Sequence, residues 1–193
     1  MEAFAIATGL VTLAEIGDKT QLLAFVLAAR YRRPGLICLG ILIATLANHA
    51  AAAALGTWVT AHLSANTLRW GLGLGFLAMA AWALVPDKLD DVQARSASTG
   101  WAVLVSTVVA FFLAEMGDKT QIATVALAAR YNDFVAVVAG TTLGMMLANV
   151  PAVLLGDRLA HRIPTRWVHG VAAAVFAALG VATLLATPNW LPQ

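Results

Sequence analysis

Six stretches of this chain stay apolar over roughly the length a helix needs to cross a bilayer, about 20 residues for a ~30 Å hydrocarbon layer. They run from 4 to 29, 35 to 61, 68 to 86, 101 to 129, 134 to 156 and 168 to 187. With 61% hydrophobic and 11% charged residues, the 193-residue chain carries too little polar surface for an ordinary water-soluble domain. The runs are rich in Ala and Leu and lack the alternation of barrel strands, and a helix satisfies its own backbone polar groups in lipid. The sequence therefore predicts an all-α, polytopic membrane protein with six transmembrane helices. Met1-Glu2-Ala3-Phe4 lacks the basic start of a secretory signal, so the first run is expected to stay as a span. A formal charge of only +2 argues against a nucleic-acid partner, and the lone Cys38 excludes an intramolecular disulfide or a cluster of several thiolates.

The chain also repeats itself. Glu15-Ile16-Gly17-Asp18-Lys19-Thr20-Gln21 returns 100 residues later as Glu115-Met116-Gly117-Asp118-Lys119-Thr120-Gln121. Leu27-Ala28-Ala29-Arg30-Tyr31 matches Leu127-Ala128-Ala129-Arg130-Tyr131, Asn48 meets Asn149, and Arg69-Trp70 meets Arg166-Trp167. Residues 1–86 and 100–193 thus form two three-helix repeats, joined by a polar linker at 87–99. An odd number of crossings per repeat turns the second repeat upside down relative to the first, the inverted plan of many secondary transporters.

Lys and Arg in short loops tend to stay cytoplasmic. Arg30, Arg32, Arg33, Lys88, Arg95, Arg158, Arg162 and Arg166 fall on one side, and only Arg69 and Arg130 on the other. This places the linker in the cytoplasm and both termini outside. Trp70, Trp101, Trp167 and Trp190 sit near span ends, as interfacial anchors do.

Charges in the middle of the first and fourth spans demand an explanation. Six unpaired ionisable groups near the bilayer centre would cost on the order of 15 to 20 kcal/mol, more than a typical folding stability. On an intact helix Glu15, Asp18 and Lys19 share one face, as do Glu115, Asp118 and Lys119. Gly17 and Gly117 lie between the carboxylates, where the backbone can open. Thr20, Thr120, Gln21, Gln121, Asn48 and Asn149 add oxygens nearby, and Pro151 is expected to kink the fifth span. Four acids and two lysines sum to minus two when ionised, which one divalent cation or two protons would cancel. Oxygen donors suit Mn²⁺, Ca²⁺ or Mg²⁺. His49, and Met116, Met145 and Met146, are read as packing or supporting residues, and Gly71, Gly73 and Gly75 as sites of close helix packing.

The doubled Glu-x-Gly-Asp-Lys-Thr motif, each copy opening a three-helix half, resembles the Gdt-type cation/proton exchangers, also called uncharacterised protein family 0016. The similarity covers nearly the whole chain. It implies transport of Mn²⁺ and Ca²⁺ coupled to protons, with bacterial members exporting manganese across the plasma membrane and eukaryotic ones loading the Golgi. By that likeness Glu15, Asp18, Glu115 and Asp118 are metal ligands, Lys19 and Lys119 their charge partners, and Thr20 and Thr120 supporting oxygens. The short linker and the lack of an N-terminal extension look like a compact bacterial member, so manganese export is expected. No cofactor, catalytic residue or enzymatic activity is expected, and a homo-oligomer is allowed. A Ca²⁺/H⁺ antiporter, an exporter of small amino acids and a passive cation channel stand as alternatives.

Overall fold

The computed structural model describes residues 1–85, 99–155 and 165–186. Among them the regular elements are eight α-helices: α1 (Glu2–Glu15), α2 (Lys19–Tyr31), α3 (Pro34–His62), α4 (Ala65–Ala83), α5 (Gly100–Glu115), α6 (Lys119–Tyr131), α7 (Phe134–Leu155) and α8 (Thr165–Leu185). Most of the linker expected at 87–99, Trp190, and the loop residues Lys88, Arg95, Arg158 and Arg162 lie outside the described residues.

The helices α3, α7 and Trp167–Leu185 of α8 are each long and apolar enough to cross a membrane, and α5 with α6 makes a fourth such span, bent by 71°. The protein is therefore a helical membrane protein. The first and fourth stretches read from the sequence are not continuous helices: each divides in two, α1/α2 and α5/α6, at the charged motif. The face shared by three charges on an intact helix is accordingly replaced by two helix ends meeting at a turn. The reason is the glycine, as described below. Pro151 lies inside α7, which continues through it.

Helix ends follow local chemistry. Arg32 and Asn132 adopt left-handed backbone with φ of 51° and 47°, and their N–H groups close α2 and α6 onto the carbonyls of Ala28 and Ala128. Pro34 opens α3 in the first turn, where its missing N–H leaves no helical bond unmade. Asp133 accepts the Ala136 N–H at 3.0 Å ahead of α7.

Close packing between small residues holds the bundle together, as is usual where lipid supplies no hydrophobic drive between helices. In the α3–α5 contact a Cβ on Gly40 would lie 2.7 Å from the Thr107 side chain and 3.3 Å from the Leu104 carbonyl. In the α7–α1 contact a Cβ on Gly140 would lie 2.6 Å from the Phe4 carbonyl and 2.9 Å from Ala7. Each residue of the first trio is 100 positions from its counterpart in the second, so one contact is built twice with the halves exchanged. Helices α4 and α8 cross where Gly73 meets Leu184 and Gly180, with Phe76 and Phe176 ring centroids 6.4 Å apart. Gly71 and Gly75, expected to serve close packing as well, face open space. Leu39, Leu46, Leu55, Leu143 and Leu147 point outward, as lipid-facing side chains must, and Trp70, Trp101 and Trp167 are exposed near helix starts.

Candidate metal centre

Both motifs break their helix in the same way. Gly17 and Gly117 have φ of 85° and 74°, a left-handed conformation that a side chain would strain. The chain turns there, with the Asp18 and Asp118 N–H groups each 3.1 Å from the carbonyl of Glu15 or Glu115, and a new helix starts from the aspartate as its N-cap. Three residues into that helix, Gln21 and Gln121 reach back and accept the Gly17 and Gly117 N–H at 3.0 and 2.7 Å. This is the geometry of a capping box moved out by one residue, and it satisfies a donor that the break leaves without a helical partner.

The other ends of these glutamines tie the breaks to the bundle. Gln21 Nε2 donates to the Ala148 carbonyl at 3.0 Å, and Gln121 Nε2 to Asn48 Oδ1 at 2.5 Å, while Asn48 Nδ2 donates to the Phe112 carbonyl at 3.0 Å. The oxygens of Gln21, Gln121 and Asn48 are thus engaged in bracing. Asn149 differs: its Nδ2 bonds the Met145 carbonyl at 3.1 Å and contacts the Met145 sulfur at 2.9 Å, and its Oδ1 is buried with no hydrogen-bond partner among the described residues.

Folding brings the carboxylates of Glu15, Glu115 and Asp118 together, with one oxygen from each lying within 4.8 Å of the others. Asp18 is linked to this group through the lysines, which pair crosswise between the motifs. Lys19 Nζ is 2.7 Å from Asp118 Oδ1, and Lys119 Nζ is 3.6 Å from Asp18 Oδ1. Glu15 and Glu115 have no exposed surface, and Asp18 and Asp118 have 1% and 3%. Thr20 and Thr120 donate their hydroxyls to Oε2 of Glu15 and Glu115 at 2.6 and 3.0 Å. Those threonines therefore orient the glutamates by donating to them. Oε1 of Glu15 and of Glu115 remains buried without a hydrogen-bond partner among the described residues.

Two such oxygens beside a third carboxylate are costly in a dry interior unless a cation or protons join them. Carboxylate oxygens at this spacing suit a hard divalent ion.

Of the remaining residues singled out in the sequence, His49 is fully buried with both ring nitrogens lacking a hydrogen-bond partner among the described residues. Met116 is 57% exposed beside the second break, while Met145 is buried against Asn149. One contact at the breaks was not read from the sequence. His169, in α8, places its ring Nε2 3.0 Å from the carbonyl of Ile16. A histidine near a span end carries no signal for this, because its partner is a main-chain oxygen next to the break.

Fold and site define a polytopic helical membrane protein with a buried cluster of carboxylates and lysines where two broken helices meet. The chain belongs to the GDT1 family of divalent cation/proton antiporters, whose family model matches residues 3–91 and 103–190. A Vibrio cholerae protein named "Putative manganese exporter" is 50% identical over 184 residues, covering 95% of this chain and 90% of its own. A GDT1-like protein of Synechocystis is 30% identical over 195 residues, with 91% and 93% covered, and GDT1-like protein 5 of Arabidopsis thaliana is 31% identical over 220 residues, with 96% of each covered. No solved structure matches the chain.

Proposed function

We propose that the protein exports a divalent cation, Mn²⁺ foremost, from the bacterial cytoplasm across the inner membrane in exchange for protons. Glu15, Asp18, Glu115 and Asp118 form the one central site, and Lys19 and Lys119 trim its charge. The observation that carries this reading is the convergence of three buried carboxylates within 4.8 Å, two of them with an oxygen that has no hydrogen-bond partner among the described residues. Ionised, the four acids and two lysines carry minus two, so either one divalent ion or two protons leaves the cluster neutral. Exchange follows, because the same oxygens hold one cargo or the other. Family membership supports the antiport, and the name of the Vibrio relative supports manganese.

In this reading α1 with α2 and α5 with α6 are each one broken crossing, giving six crossings in two oppositely oriented halves that rock about the site. The contacts repeated at an offset of 100 residues support that plan. The Lys and Arg distribution supports a cytoplasmic linker and external termini.

Everted membrane vesicles holding an imposed pH gradient provide the test. Added Mn²⁺ should dissipate the gradient, and Asp18→Asn or Asp118→Asn should abolish that response. Undiminished transport in either variant refutes the reading, and competition between Mn²⁺ and Ca²⁺ in the same assay ranks the two ions.

A further inference from the structure

The two halves place one repeated sequence in different surroundings. Leu27-Ala28-Ala29-Arg30-Tyr31 ends α2 and Leu127-Ala128-Ala129-Arg130-Tyr131 ends α6, yet Ala128 and Ala129 are buried whereas Ala28 is half-buried and Ala29 exposed. At the end of α6, α3 packs so closely that a Cβ on Gly56 would lie 2.8 Å from the Ala128 Cβ. At the end of α2, α7 stands off across a cavity of about 520 Å³ lined by Phe25, Ala28, Ala29, Val153 and Leu154. Helices α4 and α8 follow the same division. α4 packs along α6 and α8 along α1, but α8 makes no comparable contact with α2, nor α4 with α5. Phe76 of α4 and Phe176 of α8 accordingly share a core with Leu10 and Leu127, while the core around Leu23 and Phe111 contains neither helix.

Identical side chains have identical transfer free energies, so this difference is one of arrangement, and packed helix faces switch between discrete arrangements instead of deforming continuously. We infer that the protein has a second packing, the exchange image of this one: α4 and α8 leave α6 and α1 as a pair and cover α2 and α5, and α2 closes on α7. Arg130 is the positioning residue that favours the present packing, because its guanidinium donates to the Thr183 hydroxyl and ties the end of α6 to α8. Arg69-Trp70 and Arg166-Trp167 align at an offset of 97 residues, which makes Pro86 the counterpart of Thr183, and proline offers Arg30 no side-chain acceptor. The latch therefore works in one packing and not in the other. The inference rests on the inverted-repeat reading above for its second packing. Its test reads distances and not transport, so its failure is distinct from loss of exchange in the aspartate variants.

In the full-length chain with Cys38→Ser, nitroxides are attached at two counterpart pairs of exposed positions, Leu22→Cys with Val181→Cys and Ile122→Cys with Leu84→Cys. Double electron–electron resonance in lipid nanodiscs reads the distances. The two pairs should differ in their main distance, and the minor population of each should fall at the main distance of the other. Thr183→Val, which removes the acceptor at nearly equal size, should raise the minor population at least about five-fold in both pairs, as loss of a charged hydrogen bond predicts. Thr183→Ser, which keeps the hydroxyl, should preserve the parent distribution. Absence of a shared distance in Thr183→Val, a shift confined to one pair, or Thr183→Ser moving as far as Thr183→Val would each overturn the inference. Should Thr183→Val fail to accumulate, Arg130→Gln takes its place and must meet the same criteria.

Discussion

Replacing Lys119 by Met probes the crosswise pairing most directly, since it removes a charge while keeping the side chain's length. The Lys119 side chain is 4% exposed and lies 3.6 Å from Asp18, which is 1% exposed, so Lys119→Met takes an ammonium away from beside a buried carboxylate. Breaking a buried pair in this way costs about 3–5 kcal/mol. For a chain of this size each kcal/mol lowers the unfolding midpoint by about 2–4 °C, so the expected drop is roughly 6–20 °C. Lys19→Met should cost less, about 1.5–3 kcal/mol for a charged hydrogen bond, because the Lys19 side chain is 26% exposed and water can replace it.

Thermal unfolding in detergent micelles, without added metal, measures both. A double-mutant cycle then identifies the partner. Lys119→Met combined with Asp18→Asn should be less destabilised than the sum of the single changes, with a coupling of about 1–3 kcal/mol. The same cycle with Asp118→Asn, the aspartate next to Lys119 in sequence, should give a smaller coupling. A larger coupling within one motif than between motifs would refute the crosswise arrangement.

Two further outcomes are expected. Gly117→Ala should lose about 1–2 kcal/mol from left-handed backbone alone, since its φ is 74° and no atom lies within 4 Å of the added methyl, whereas Gly35→Ala, equally uncrowded but within α3, should unfold at or slightly above the parent temperature. Mn²⁺ added to the purified protein in weakly buffered solution should release protons, up to about two per ion bound, and Asp18→Asn should release fewer; a pH trace that does not move in the parent would contradict exchange at a shared site.

Much of this architecture could be read from the sequence because its physics is local. Six apolar runs and a charged heptapeptide occurring twice pointed to a helical membrane protein with a central acidic site, and Glu15, Glu115 and Asp118 do converge. The breaks were half legible: Gly17 and Gly117 were seen as places where the backbone could open, while Asp18-x-x-Gln21 and Asp118-x-x-Gln121 already carry the spacing of an N-cap and its returning amide. Read that way, the glutamines would have been assigned to bracing from the start. Which lysine meets which aspartate was not legible, because that depends on how the two broken helices cross, and spacing along the chain favours the neighbour in the same motif. His169 was out of reach for a related reason, since its partner is a carbonyl displayed only where α1 ends.

The reciprocal lysines set a condition on biosynthesis. Asp18 is made 101 residues before Lys119, an interval of about 5–20 s at ordinary rates of translation. Through that delay the early half has already entered a medium hostile to bare ions, and the counter-charge it will later receive has not been synthesised. Until the late half arrives only Lys19 offsets Glu15 and Asp18, so the early half must carry a further proton or be sheltered by the insertion machinery. Neither portion is electrically finished by itself, so maturation ends with the two halves meeting.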